Sequence, residues 1–257
     1  MMDKIAAFHE LHIPGNPLVL FNIWDAGSAK AVAGAGAKAV ATGSYGVAEA
    51  QGMKDGETFP LDAALLNLTR ILNVTDLPVT IDMESGYGDD PAQVGASVAA
   101  AREAGAAGIN IEDRMPGVAE LLPITTQSAR IAAAAASGLF VNARCDVFRG
   151  RPAEEHGPAL VAVALERAAA YADAGASGLF VPFTTNRSCI AAICEGSSLP
   201  VNIIWTPAAA GGFSGSEELA GLGVARISHG HRPWAAAMSW LADAARTVFA
   251  GDPPPYD

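Results

Sequence analysis

The chain has 257 residues, half of them apolar, and its 27 Asp and Glu outnumber 16 Lys and Arg to leave a net charge of −11. That length buries a substantial core, while the acidic balance argues against nucleic acid or an anionic membrane, both of which need clustered Lys and Arg. No apolar run reaches the roughly 18–20 residues that span a bilayer, and the opening MMDKIAAFHELHIPGNP lacks the apolar core and cleavage site of a secretion signal.

In chain order, eight short apolar runs alternate with helical patterns: LVLFNI (18–23), KAVAT (38–42), PVTI (78–81), GINI (108–111), LFVNA (139–143), GLFVP (178–182), PVNII (200–204) and VARIS (224–228). Intervening helices are expected over Ala92–Ala104, Ala159–Ala174 and Glu217–Leu222, among others. A repeated plan links them. GAGAKAVATGS (34–44), EAGAAGINIEDR (103–114), DAGASGLFVPF (173–183) and LAGLGVARISHG (219–230) each read as an Ala-rich helix end, a glycine and a strand. Strands apolar at successive positions are covered on both faces. Eight such units without a linker predict an α/β fold, a (β/α)8 TIM barrel forming a single domain over 1–257 with a C-terminal helical extension. An open doubly wound sheet is the rival, but FNIWDAGSAK offers no GxGxxG turn after the first strand. The three cysteines, Cys145, Cys189 and Cys194, form no CxxC pair and read as reduced thiols of a cytoplasmic protein.

A barrel of this kind works at the carboxyl ends of its strands. The first ends in Trp24–Asp25, the second in Ser44-Tyr45-Gly46, the third in Asp82 and Glu84. The fourth ends in Glu112–Asp113–Arg114, the fifth in Asn142, Arg144 and Asp146, and the last in Ser228-His229-Gly230-His231. Asp82 and Glu84, two apart at the end of an apolar run, should point the same way. With Glu112 they form an oxygen-only set suited to Mg2+ or Mn2+; the bland alternative is that they cap helices or pair with Arg114 and Arg144. Arg144 offers a planar fork to a substrate carboxylate, or else a structural bridge to Asp146 or Glu112. Ser44 and the glycine after it offer backbone N–H groups to an anion. His229 and His231 resemble the HxH of zinc hydrolases, though the other histidines are poorly placed to complete a site. GGFSGS (211–216) with SHGH is the feature that favours phosphate instead.

Five stretches in this order, FNIWDAGSA, GMKDGE (52–57), DMESGYGDDP, GINIEDR and VNARCDVF, resemble the isocitrate lyase/phosphoenolpyruvate mutase superfamily, from about Leu18 to Ala236. The resemblance is closest to the short members labelled PEP mutase-like or methylisocitrate lyase-like. It implies a Mg2+-binding barrel acting on a small 2-oxo or 2-hydroxy carboxylate. The acidic metal set falls on Asp55, Asp82, Glu84 and Glu112, with Asp82 the direct ligand. Arg144 matches the arginine that grips the substrate carboxylate. Ser44, Tyr45 and Gly46 match the segment that receives it, with Trp24 beside them, and Arg144, Glu112 and Asp55 are the catalytic candidates. Family barrels commonly form tetramers and exchange their last helix, here about 234–249, so a homo-oligomer, tetramer or dimer, is expected. One departure stands out. The lyases carry a KKCGH or KRCGH loop after the fourth strand, and the mutases a lysine and an asparagine; here the loop is RMPGVAELLP (114–123), whose nearest carboxylic acid is Glu120. The expected activity is Mg2+-dependent carbon–carbon bond cleavage of a small 2-hydroxy or 2-oxo di- or tricarboxylate through a metal-stabilised enolate or oxyanion. The alternatives are phosphonopyruvate or oxaloacetate chemistry, or a silent metabolite-binding barrel.

Overall fold

The computed structural model describes residues 3–256. All eight predicted strands form: β1 (Leu18–Leu20), β2 (Val40–Ala41), β3 (Val79–Asp82), β4 (Gly108–Glu112), β5 (Phe140–Arg144), β6 (Gly178–Phe180), β7 (Val201–Ile204) and β8 (Arg226–Ser228). They pair in parallel in the order β1-β8-β7-β6-β5-β4-β3-β2. The seam between β1 and β2 closes one step further along, where Ile23 N–H donates to the Ala41 carbonyl at 2.9 Å and Ile23 bridges Thr42. The first strand is shorter than its apolar run because the Asn22 side chain replaces the ladder. Its amide donates to the Thr42 carbonyl at 2.9 Å, and its oxygen accepts from the His229 and Gly230 N–H groups at 2.8 Å each. One side chain thus splices β8, β1 and β2. The result is a (β/α)8 barrel.

Helices alternate with the strands: α1 (Lys4–Glu10), α2 (Ala26–Gly34), α3 (Ser44–Glu49), α4 (Leu61–Leu72), α5 (Pro91–Glu103), α6 (Ile124–Ala135), α7 (Pro158–Asp173), α8 (Arg187–Gly196), α9 (Ser216–Gly221) and α10 (Arg232–Phe249). The repeated glycines stop their helices as the pattern implied. Gly36, Gly105, Gly175 and Gly223 all sit at φ between 88° and 100°, a conformation that costs glycine little. No helix among the described residues is long and apolar enough to cross a membrane.

Strand periodicity sorts the two faces of the wall. Ile81, Ile109, Ile111, Val141, Leu179, Ile203 and Ile227 join the main core between strands and helices. The alternate positions, Thr80, Asn110, Asn142, Asn202, Arg226 and Ser228, are buried and polar. Asn142 donates to Asn110 at 2.9 Å and to Asn202 at 3.0 Å, and Arg226 donates to Asn110 at 3.2 Å. At the amino end α1 acts as a plug. Phe8 is wholly buried among Leu18, Leu20, Ala39, Ala41, Ala107 and Phe140, and the ring of His12 stacks on Phe140 with centroids 4.0 Å apart. The open end is therefore the carboxyl end.

Candidate active site

The strand ends surround a cavity of about 580 Å³ lined by Ser44, Asp55, Asp82, Glu84, Glu112 and Arg144, with Tyr45 and His231 beside them. Asp82 closes β3. Its N–H donates to the Thr42 hydroxyl at 3.0 Å, and its carboxylate accepts from the Ser44 and Glu84 N–H groups at 3.3 Å each. Among the described residues it forms no ion pair.

Glu84 reaches the same cavity by a different route from the one its spacing implied. The strand stops at Asp82, and Glu84 and Tyr87 take positive φ of 50° and 51° in a tight turn. The carboxylate of Glu84 then accepts from the Glu57 N–H at 2.8 Å. Glu57 answers from the GMKDGE loop, accepting from the Ser85 N–H at 2.9 Å, the Ser85 hydroxyl at 2.6 Å and the Tyr87 N–H at 3.1 Å. This clamp fixes the loop that carries Asp55 to the turn after β3.

Glu112 and Arg144 are register partners on β4 and β5, and the guanidinium donates to Glu112 at 2.5 Å. Arg144 also makes a two-pronged contact with Asp146, at 2.7 and 3.0 Å, so the bridge to both acids forms. Burial alone would lower the Arg144 pKa, but the Glu112 and Asp146 charges hold it above the ordinary arginine value. Its face lies 5.4 Å from the Phe183 ring and 5.8 Å from that of Phe180.

Because Glu84 and Glu112 are engaged in this way, no three of the acids, histidines or cysteines among the described residues close into a metal cage. The oxygen-only set expected from sequence lines one cavity without forming such a cage. Its electrostatics nevertheless suit a hydrated divalent cation. Desolvation, then the neighbouring Asp82 and Asp55 charges, raises the Glu84 pKa to about 8. Glu112 also rises to about 8, from desolvation that Arg144 only partly offsets. Asp55, whose side chain keeps solvent contact at the rim, is raised by desolvation and by Asp82. A divalent cation bound in this mouth would relieve this repulsion.

Other expectations land elsewhere. Trp24 is half-buried against Val47, Ala48 and Phe59 and does not line the cavity. Gly46 is packed so tightly that a Cβ there would lie 3.1 Å from Trp234 and 3.5 Å from Trp24; its lack of a side chain is a packing demand. His229 Nδ1 is 3.1 Å from the Leu20 carbonyl and the ring stacks on Trp205, and among the described residues no third histidine, cysteine or acid gathers with it and His231 into a metal site. In GGFSGS the Glu218 carboxylate already accepts from the Ser214 N–H and hydroxyl at 2.8 Å each, so those two donors are taken by the chain itself. Cys145 is wholly buried, with its thiol pKa pushed up by desolvation.

The supporting shell was not singled out from sequence. Arg130 on α6, fully buried, donates to the carbonyls of Ser85, Gly88 and Asp89 at 2.5–2.9 Å, and Gln127 donates to the Glu112 carbonyl at 3.0 Å. Asp113 accepts from the Asp146 N–H, Tyr171 and Arg167 at 2.9, 2.9 and 3.2 Å. Arg149 reaches Asp146 at 3.0 Å and Glu112 at 3.7 Å.

Comparison with known proteins agrees with the fold. The family model described as phosphoenolpyruvate phosphomutase matches residues 8–249. An uncharacterized protein of Mycobacterium tuberculosis is 36% identical over 248 residues, covering 96% of this chain and 90% of that protein. An oxaloacetate decarboxylase of Rhodopseudomonas palustris is 32% identical over 209 residues, 75% of this chain and 69% of the enzyme. A crystal structure from Burkholderia cenocepacia, provisionally described as a phosphonomutase, superposes with a TM-score of 0.91 at 45% identity, covering 95% of this chain and 98% of that one. With its barrel, its strand-end acids and a family match over nearly its whole length, the chain belongs to the phosphoenolpyruvate phosphomutase family, within the isocitrate lyase/PEP mutase superfamily of enzymes.

Proposed function

We propose that this mouth cleaves a carbon–carbon bond in a small 2-hydroxy or 2-oxo carboxylic acid, in a Mg2+-dependent reaction that Mn2+ also supports. The observation that carries the reading is a single cavity in which Asp82, free of any ion pair among the described residues, shares space with desolvated carboxylates and the pre-set fork of Arg144. Asp82 would hold the cation directly, with Asp55, Glu84 and Glu112 acting through its water shell. The ion would supply positive charge to offset an oxyanion developing beside the breaking bond. Arg144, already oriented by Asp146, fixes the substrate carboxylate, and this prior ordering becomes rate. The Tyr45 and Gly46 N–H groups, in the first turn of α3, would be the complementary donors, the Ser44 N–H being turned to Asp82. The similarity to an oxaloacetate decarboxylase supports a carbon–carbon bond as the target.

The likeness to a phosphonomutase description favours a second reading, cleavage of a carbon–phosphorus bond. Incubation with Mg2+ and, separately, oxaloacetate, alkyl-substituted malates and phosphonopyruvate separates the two. Pyruvate or glyoxylate released from the carbon acids supports the lyase. Turnover of phosphonopyruvate alone overturns it.

A further inference from the structure

The arginines of the mouth cluster at the ends of β4 and β5, where Arg114, Arg144 and Arg149 all draw on the buried carboxylate of Asp146, at 3.9, 2.7 and 3.0 Å. What each guanidinium has left to offer differs. Arg144 spends Nε and Nη2 on Asp146 and Nη1 on Glu112. Arg114 is tied to the carbonyls of Ala119 and Asp146, and its side chain is only 13% exposed. Arg149 meets Asp146 at 3.0 Å and Glu112 at 3.7 Å, in both cases through Nη1. Its Nε and Nη2 have no protein partner among the described residues, and the side chain is 47% exposed at the cavity wall. Those two atoms form the edge of a guanidinium that grips a carboxylate through two parallel hydrogen bonds.

Asp146 does not need this third arginine, since Arg144 alone occupies both of its oxygens. Three guanidinium groups here face two carboxylates, Asp146 and Glu112, which leaves positive charge in excess on this flank. The ring of Phe183 makes a shelf beneath two of them, 5.4 Å from the Arg144 guanidinium carbon and 5.6 Å from that of Arg149. Phe183 holds a backbone φ of 67°, strained for a bulky residue and of the kind that gathers at ligand sites. Arg144 Nη2 and Arg149 Nη1 are each 3.0 Å from the same Asp146 oxygen, so the two cations lie within reach of the two ends of one short diacid. His231, after β8, packs edge-on against Tyr45, and desolvation lowers its pKa, so it offers no competing charge at neutral pH.

We infer that Arg149 is a specificity-determining residue that receives the second carboxylate of the substrate, so that the site prefers a 2-oxo or 2-hydroxy diacid to a monoacid of the same size. This rests on the proposed Mg2+–carboxylate site, with Arg144 at the first carboxylate. A carboxylate arm meets a fork already held by Asp146. An apolar arm of the same length strips water from those donors and returns no hydrogen bond.

The test is calorimetric titration of the whole protein with Mg2+ and three probes: oxalate, N-oxalylglycine and N-isobutyloxamate. The last two share an oxamate head and have arms of similar size, one a carboxylate and one apolar. The expected result is at least about tenfold tighter binding of N-oxalylglycine than of N-isobutyloxamate. Arg149→Met, which keeps an unbranched arm beside Phe183 without its charge, is expected to bring that ratio within about threefold. Equal or tighter binding of N-isobutyloxamate by the parent chain overturns the inference without recourse to a variant. A ratio that stays above the expected ceiling in Arg149→Met overturns the assignment to Arg149. Failure of oxalate itself to bind with Mg2+ overturns the underlying site and this inference with it, whereas oxalate binding without a preference for the diacid overturns this inference alone.

Discussion

Asp82 and Arg144 are both charged residues at strand ends, but the protein treats them differently. Arg144 is held by two acids before any ligand arrives, whereas Asp82 has only backbone and hydroxyl hydrogen bonds. Replacing each with alanine therefore has distinct consequences. Asp82→Ala should abolish the Mg2+ dependence of oxalate binding. Arg144→Ala should weaken oxalate by about 2–5 kcal/mol, the usual cost of removing one partner of a desolvated charge pair, with Mg2+ affinity retained. Titrating Mg2+ and oxalate separately into both variants checks this, and Mg2+-dependent oxalate binding in Asp82→Ala removes the metal assignment. Asp82, Glu112 and Arg144 were readable from sequence because each directly follows an apolar strand. The turn at Glu84 was not, since its positive φ depends on a clamp from Glu57, 27 residues away. Arg130 was hidden for a related reason. It lies on a helix whose pattern says only which face is buried, and its targets are backbone carbonyls that carry no residue-type signal.

At the scale of elements, all eight strands were legible, since parallel strands covered on both faces leave continuous apolar runs and their helices end at glycines. The plug was less so. α1 is a seven-residue helix outside the repeat, and its role appears only when Phe8 and His12 meet Phe140 from the far side of the barrel. His12 makes a testable liability. One ring nitrogen is 2.8 Å from the Phe8 carbonyl, and the other is buried without a partner. Desolvation, reinforced by Arg226 and His9, lowers its pKa from 6.5 to about 3 despite that hydrogen bond. Between these values the unfolded chain binds a proton that the folded one refuses, so this residue's contribution makes stability fall as pH drops from about 6.5 toward 3. The slope is at most about 1.4 kcal/mol per pH unit. Denaturant unfolding between pH 7 and 5 should therefore show a shallower loss in His12→Gln than in the parent chain. Parallel curves would mean that His12 is protonated in the native state or that the plug opens.

At the scale of the whole molecule, two apolar surfaces lack partners among the described residues. One surrounds β1, where Ile13, Val19 and Phe21 are 49%, 44% and 48% exposed beside a groove also lined by Val32 of α2. The other is the far part of α10, where Trp240, Leu241 and Phe249 are 55%, 54% and 87% exposed. Of the side chains of this helix only Pro233 and Ala244 are buried. Each large apolar side chain left in water forgoes roughly 1.5–3 kcal/mol that burial would return, and adjoining exposed side chains of this kind mark an interface. We propose that α10 packs on a second copy, as the family resemblance implied, to give a dimer or tetramer. Closed symmetry lets identical surfaces satisfy one another. Sedimentation at micromolar concentration should then show a single assembly. Paired Trp240→Glu and Phe249→Glu substitutions should release monomers whose far-UV circular dichroism still reports an intact barrel, because neither side chain belongs to the barrel core. A parent chain that sediments as a monomer would instead leave α10 free in solution, and its apolar face would then need a different occupant.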